Sequence, residues 1–161
     1  MAGDKKLGLA VVGCGVVGRM RSTLAKEYPG IGWIGLSDIN EDLGLKLKED
    51  IKADFFTTNF RELIERPEVD AVIIATSTWS HVEPILSAVD RKLPMLIEKP
   101  LATDAVESLK VLNAIQEAGV DAVVLADSAV DPYSPNVIRN STGALFEIPL
   151  ISASSEELVS V

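Results

Sequence analysis

Three glycines in the string Gly13-Cys14-Gly15-Val16-Val17-Gly18 lie between an apolar run and the start of a helical pattern, and that placement constrains this chain more than any other feature. Leu7 to Val12 reads as a strand buried on both faces, and Val16 to Tyr28 carries Val17, Met20, Leu24 and Tyr28 at helical spacing. A strand turning sharply into a helix needs backbone freedom at the turn and close approach at the helix start. Gly13 permits the turn, Gly15 leaves the backbone bare for a ligand, and Gly18 lets the helix lie on the strand. The free N–H groups of the helix start, those of Val16 and Val17 among them, and its positive dipole end then face whatever sits in the turn. In this context the string fits the pyrophosphate of a dinucleotide, although a glycine-rich turn without a ligand would use the same letters.

A second apolar run, Ile31 to Leu36, ends at Ser37-Asp38, twenty residues beyond Gly18. A carboxylate at this spacing hydrogen-bonds the hydroxyls of an adenosine ribose and repels a 2′-phosphate. The next residues, Ile39-Asn40, supply no arginine to offset that repulsion, so the expected cofactor is NAD and not NADP. The alternative is that Asp38 ends a strand or caps the following helix.

Composition excludes several classes. The 161 residues suit one domain, and an apolar content of 47% suits a globular chain with no stretch long enough to span a bilayer. The opening Met-Ala-Gly-Asp-Lys-Lys lacks the apolar core of a signal peptide, so a cytoplasmic protein is expected. With 24 acidic against 15 basic residues the net charge is −9, which argues against nucleic acid as a partner. The only cysteine, Cys14, and the only histidine, His81, exclude a disulfide and a His/Cys metal cluster, and Cys14 reads as a small turn residue and not a nucleophile.

Apolar runs at 7–12, 31–36, 53–57, 70–75, 93–97, 120–126 and 145–151 alternate with helical patterns. This predicts a three-layer α/β fold around a doubly wound parallel sheet of the Rossmann type, with six strands plus a seventh from the tail. Residues 1–127 read as the dinucleotide-binding domain. Residues 128–161 read as a tail whose short helix (135–140) and strand complete it. A helix is expected from Asp104 to Ala118, capped by Thr103, ended at Gly119, with Val106, Leu109, Leu112 and Ile115 as its buried stripe. Another runs from Trp79 to Arg91 with Val82, Ile85, Leu86 and Val89 inward, and a short one from Phe60 pairs Asn59 and Glu62 as a capping box.

Later motifs narrow the field. Thr76-Ser77-Thr78-Trp79-Ser80-His81 after the fourth strand, and Glu98-Lys99-Pro100-Leu101-Ala102 after the fifth, resemble the Gfo/Idh/MocA oxidoreductases over about residues 5–125. Members of that family join such a domain to a larger sheet domain that holds a sugar or cyclitol, and move hydride between it and NAD(P). By matching position, the resemblance implies Gly13, Gly15 and Gly18 at the pyrophosphate and Asp38 at the adenosine ribose. It further implies Thr76, Thr78 and His81 along the nicotinamide side, Glu98 among the cofactor-binding residues, and Lys99 as the catalytic residue at the reacting hydroxyl. Ser77 stands where the family often has proline. Apart from the resemblance, Lys99 fits an exposed lysine paired with Glu98, and His81 fits a first-turn residue satisfied by backbone.

The family draws its main acid/base histidine from the second domain, and this sequence has no second histidine. The reading is therefore a cofactor-binding domain that is not catalytic alone and needs a substrate domain, a partner chain or a homo-oligomer. The alternative is a structural unit with a vestigial cleft. Residues 120–161, through Asp131-Pro132-Tyr133-Ser134-Pro135 and Arg139-Asn140-Ser141-Thr142-Gly143, resemble an internal segment of the SpoU-type RNA ribose methyltransferases, which implies a chimera; the weaker alternative is that Gly143-Ala144-Leu145-Phe146-Glu147-Ile148 is similar to the start of the oxidoreductases' own second domain. The flanking motifs that bind S-adenosylmethionine are missing, so no methyl transfer is expected.

Overall fold

The computed structural model describes residues 5–98, 101–119, 123–125 and 150–152. Strands β1 (Leu7–Val12), β2 (Ile31–Ser37), β3 (Phe55–Thr57), β4 (Ala71–Ile74) and β5 (Met95–Ile97) form one parallel sheet in the order β3-β2-β1-β4-β5. The order reverses at β1, where Val11 is flanked by Leu36 of β2 and Ile73 of β4. Loops leaving such a point part in opposite directions and open a crevice at the carboxyl ends of the strands.

Four helices flank the sheet: α1 (Val16–Glu27) beside α2 (Glu41–Ile51), and α3 (Phe60–Ile64) beside α4 (Val82–Asp90). Leu9 and Val11 are buried, and so are Ala10 and Val12, which alternate with them, so both faces of β1 are covered, as the unbroken apolar run requires. On one face Leu9, Val11, Ile34, Leu36 and Ile73 meet Leu47 and Ile51 of α2. Each such side chain contributes about 1.5–3 kcal/mol relative to exposure. In α4, Val82, Ile85 and Val89 are buried as the periodicity predicts, and Leu86 is half-buried.

Several details differ from the sequence reading. The large apolar residues Val17, Met20 and Leu24 of α1, and Tyr28 just after it, are exposed, while Gly18 and Ser22 are buried and Ala25 packs against the core. Small side chains bring the helix close to the sheet, so they and not the large ones mark its inner face. The helix α5 (Ala105–Glu117) is capped by Asp104, whose carboxylate accepts from the Val106 and Glu107 amides, and not by Thr103. Val111 is buried, and Val106 and Leu109 are exposed. At α3 the expected reciprocal box is relayed: the Asn59 amide donates to Thr57 Oγ1, which donates to Glu62 Oε2 at 2.6 Å.

The sheet itself needs correction. β6 (Val123–Leu125) does not extend the five strands but pairs in parallel with β7 (Leu150–Ser152) as a separate two-stranded sheet, Val124 opposite Ile151. The interval 126–149 provides the long connection a parallel pair needs, and each short strand finds its ladder partner in the other. Contacts divide the chain into compact units of residues 1–103 and 104–161, where the sequence reading drew its line after residue 127. The tail helix expected at 135–140 lies outside the described residues.

Candidate functional site

The three glycines of the turn after β1 have three different causes. Gly13 has a φ of +99°, which glycine alone adopts without strain, and a Cβ on it would lie 2.5 Å from Ala75 O. At Gly18 a Cβ would lie 1.8 Å from Gly13 O, because α1 rests on the turn that precedes it. Gly15 differs from both: its φ is −64°, and a Cβ would meet nothing within 4 Å. The middle glycine is thus dispensable for backbone conformation and for packing, and open space lies beside it. It also begins α1, which no side chain caps and whose first turn has no acidic residue. The amides of Val16, Val17 and Gly18 are left to an outside acceptor.

Asp38, at the end of β2, is tied to that turn. Its Oδ2 accepts from the Cys14 amide at 2.7 Å and its Oδ1 from the Asn40 amide at 2.8 Å. Asn40 and not Asp38 caps α2, through Oδ1 and the Leu43 amide. Each Asp38 oxygen keeps a second lone pair, the arrangement that suits a vicinal diol. Beneath it, Cys14 is fully buried. That burial, reinforced by the Asp38 charge, pushes the Cys14 thiol up to about 12, so it remains a neutral packing group.

Gly13, Gly15, Asp38 and Thr76 line a cavity of about 490 Å³, together with Ile39, Thr58, Phe60, Ser77, Trp79 and Glu83. Its position at the carboxyl ends of β1, β2 and β4 is where the strand order places a crevice. A dinucleotide fits these groups: open space and unpaired amides at one wall for phosphates, and a carboxylate with spare lone pairs at another for ribose hydroxyls.

Of the other sequence-predicted residues, Thr78, His81 and Glu98 are not on the lining of this cavity. His81 is 1% exposed, with Nε2 3.1 Å from Thr76 O, so the ring braces the loop that carries Thr76. Thr78 opens a single 3₁₀ turn (Thr78–Ser80) ahead of α4. Ser77 has a φ of −67°, the value proline is locked into, so the chain keeps the turn without the ring. Glu98, after β5, ion-pairs with Arg21 of α1 at 2.7 Å. Lys99 lies outside the described residues. Among the described residues no group of three or more acidic, His or Cys side chains could hold a metal ion, and no helix is long and apolar enough to cross a membrane.

The signature of an oxidoreductase family with an NAD-binding Rossmann fold matches residues 7–125. The chain belongs to the Gfo/Idh/MocA oxidoreductase family. It is 30% identical to an inositol 2-dehydrogenase of Gluconacetobacter diazotrophicus over 70% of this chain and 34% of that protein. A probable dehydrogenase from Thermotoga maritima superposes with a TM-score of 0.67 at 28% identity, over 71% of this chain and 34% of the other. GenD2 from gentamicin A biosynthesis, crystallised with NAD, gives a TM-score of 0.66 at 26% identity, over 73% and 33%. The chain therefore spans about a third of the length of the relatives it matches, and what it matches is their NAD-binding domain.

Within this Gfo/Idh/MocA domain, the lining residues that escaped the sequence reading include Ile39, Thr58, Phe60, Trp79 and Glu83. They sit at or just after strand ends, in loops, a 3₁₀ turn or the first turns of α3 and α4, where hydrophobic period carries no signal. Arg21 escaped it too, since its partner Glu98 is 77 residues away.

Proposed function

We propose that this chain is the cofactor-binding part of an oxidoreductase that moves hydride between NAD and a secondary alcohol of a sugar or cyclitol. The observation that carries the reading is the open space beside Gly15 at an uncapped helix start, with Asp38 lining the same cavity. The amides and dipole of α1 hold the pyrophosphate without a cation, and Asp38 holds the adenosine ribose while repelling a 2′-phosphate. Once bound, the nicotinamide ring supplies the hydride acceptor. Thr76 and Thr78 flank that end, His81 braces the Thr76 loop, Glu98 fixes the strand end to α1, and Lys99 takes or returns the hydroxyl proton. The similarity to an inositol 2-dehydrogenase supports a cyclitol.

Taken alone, these 161 residues bind the cofactor without turnover. Holding substrate against nicotinamide accounts for about 7–11 kcal/mol of barrier lowering, and that grip comes from a further domain, a partner chain or a second copy. We place the protein in the cytoplasm and give it no nucleic-acid partner, in line with its net charge of −9. The SpoU-like segment, if the chain is a chimera there, contributes structure through β6 and β7 and no methyl transfer.

Calorimetry with NAD and NADP tests the reading. NAD should bind with at least about a tenfold preference over NADP, since a close like-charge contact costs more than a kcal/mol. No heat at millimolar NAD would overturn the proposal and leave the cleft a structural feature. NADH absorbance with a panel of polyols should stay at background, and turnover abolished by Lys99→Ala would overturn the claim that the isolated chain is inactive.

A further inference from the structure

The helix α1 packs on β1, β2 and β4 through small residues: Gly18 and Ser22 are buried and Ala25 meets the core. A contact this smooth sets how close the helix lies, but it leaves sideways position to other groups, since few large side chains interlock. Two ion pairs tie the flanks. Arg19 and Arg21 lie about 200° apart around the helix. Arg19 Nη1 reaches Asp50 of α2 at 2.7 Å, while Arg21 donates through both Nε and Nη2 to Glu98 Oε1, at 2.8 and 2.7 Å. The Glu98 side chain is 21% exposed against 44% for Asp50, so water screens the Arg21 pair less.

Glu98 is also stitched to the sheet. Its amide donates to Ile74 O at 3.0 Å, and Ile74 ends β4 two residues before Thr76 on the cavity lining. A continuous link therefore runs from α1 through Glu98 to the strand end that carries Thr76. We propose that Arg21 is a positioning residue for the nicotinamide half of the dinucleotide: through Glu98 it sets the distance between the start of α1 and the end of β4. This rests on the reading that the adenosine half lies at Asp38, the pyrophosphate at the start of α1 and the nicotinamide half at Thr76. A ligand spanning both sides needs them in register, whereas one that occupies the Asp38 side alone does not sense the distance. Glu98, placed among the cofactor-binding residues by resemblance, then acts on the cofactor through Arg21 and β4.

Calorimetry on the full chain with NAD and AMP tests this. Arg21→Met should weaken NAD about three- to tenfold, the drop expected if the loosened cleft is in register about a third to a tenth of the time, and leave AMP unchanged. Glu98→Gln keeps the shape and removes the charge, so it should act in the same direction, and the double variant should be no weaker than Arg21→Met because both break one link. Reversing the pair, Arg21→Glu with Glu98→Arg, should recover most of the loss. Arg19→Met, which breaks the pair on the other flank, should keep the ratio of NAD to AMP affinity. Unchanged NAD affinity in Arg21→Met, equal weakening of NAD and AMP, or additive losses in the double variant would overturn the proposal. If Arg21→Met does not fold, Glu98→Gln and the reversed pair carry the same comparison. An unmodified chain that binds neither ligand would bring down the reading of the cleft and the positioning role with it, whereas binding of both at a ratio that ignores Arg21 refutes the positioning role alone.

Discussion

The two ends of the five-stranded sheet are finished on opposite plans. At the amino ends, side chains close the gaps: Asp54 Oδ2 accepts from the Ile34 amide at 2.8 Å, and Asp70 Oδ2 from the Gly8 amide at 2.9 Å. The Lys5 ammonium on Asp70, with that amide, holds its carboxyl below the usual carboxylate range. Arg66 lies 4.2 Å from the centre of the Phe55 ring and 5.7 Å from that of Trp33. At the carboxyl ends, glycine replaces side chains, α1 starts without a cap, and Ile39 and Trp79 face solvent. Aspartates occur at both ends, and Asp38 is the one that lines the cavity beside Gly13 and Gly15. One end is built to hold strands together and the other to leave donors and surface free, so substitutions at the two should separate stability from binding.

The sharpest separation lies inside the glycine string. Gly18→Val forces a side chain into Gly13 O and should cost about 1–3 kcal/mol or more of stability, measured by urea denaturation. At Gly15 an added Cβ meets nothing within 4 Å, so Gly15→Val should leave the midpoint almost unchanged while abolishing NAD binding. Equal destabilisation by the two would show that the middle glycine is also structural. At the other end, Asp54→Ala leaves the Ile34 amide without its acceptor and should cost about 1 kcal/mol with NAD affinity intact. A loss of affinity there would mean the two ends are coupled through β2.

The smallest effect concerns pH. The unfolded Cys14 thiol ionises near its ordinary value of 9.0, while the folded one keeps its proton to about 12. The unfolded chain therefore binds fewer protons above pH 9, so stability present at neutral pH should decline as pH rises. Urea denaturation at pH 8 and pH 10.5 should reveal the decline, and Cys14→Ser should flatten it. An unchanged slope in that variant would mean that the floor of the open end is wetter than its burial implies.

Much of the open end could be read in the letters, because it depends on backbone geometry that few residues permit. Gly13, Gly15, Gly18 and Asp38 announce themselves by type and spacing. The closed end could not be read, since Asp54, Asp70 and Arg66 look like ordinary loop charges until the strands bring the Ile34 amide, the Gly8 amide and the Phe55 ring beside them. The inner face of α1 was obscured for a related reason: periodicity locates large apolar residues, whereas close approach to the sheet selects Gly18, Ser22 and Ala25. The extent of the sheet failed differently. Residues 120–126 are as strand-like as any other run, and composition does not say which edge a strand will choose.

The seating of α1 on Gly13 O has a consequence for how this sequence can drift. Positions 13 and 18 are policed by folding itself, so any lineage that keeps the protein intact keeps those two glycines whether or not a cofactor is ever bound. Position 15 has no such guardian. If random variants were selected only for soluble expression, 13 and 18 should stay fixed while 15 fills with alanine, serine and larger residues; under selection for cofactor binding, all three should freeze together. The letter at position 15 is thus a record of use, legible in a population of variants without an assay of any substrate.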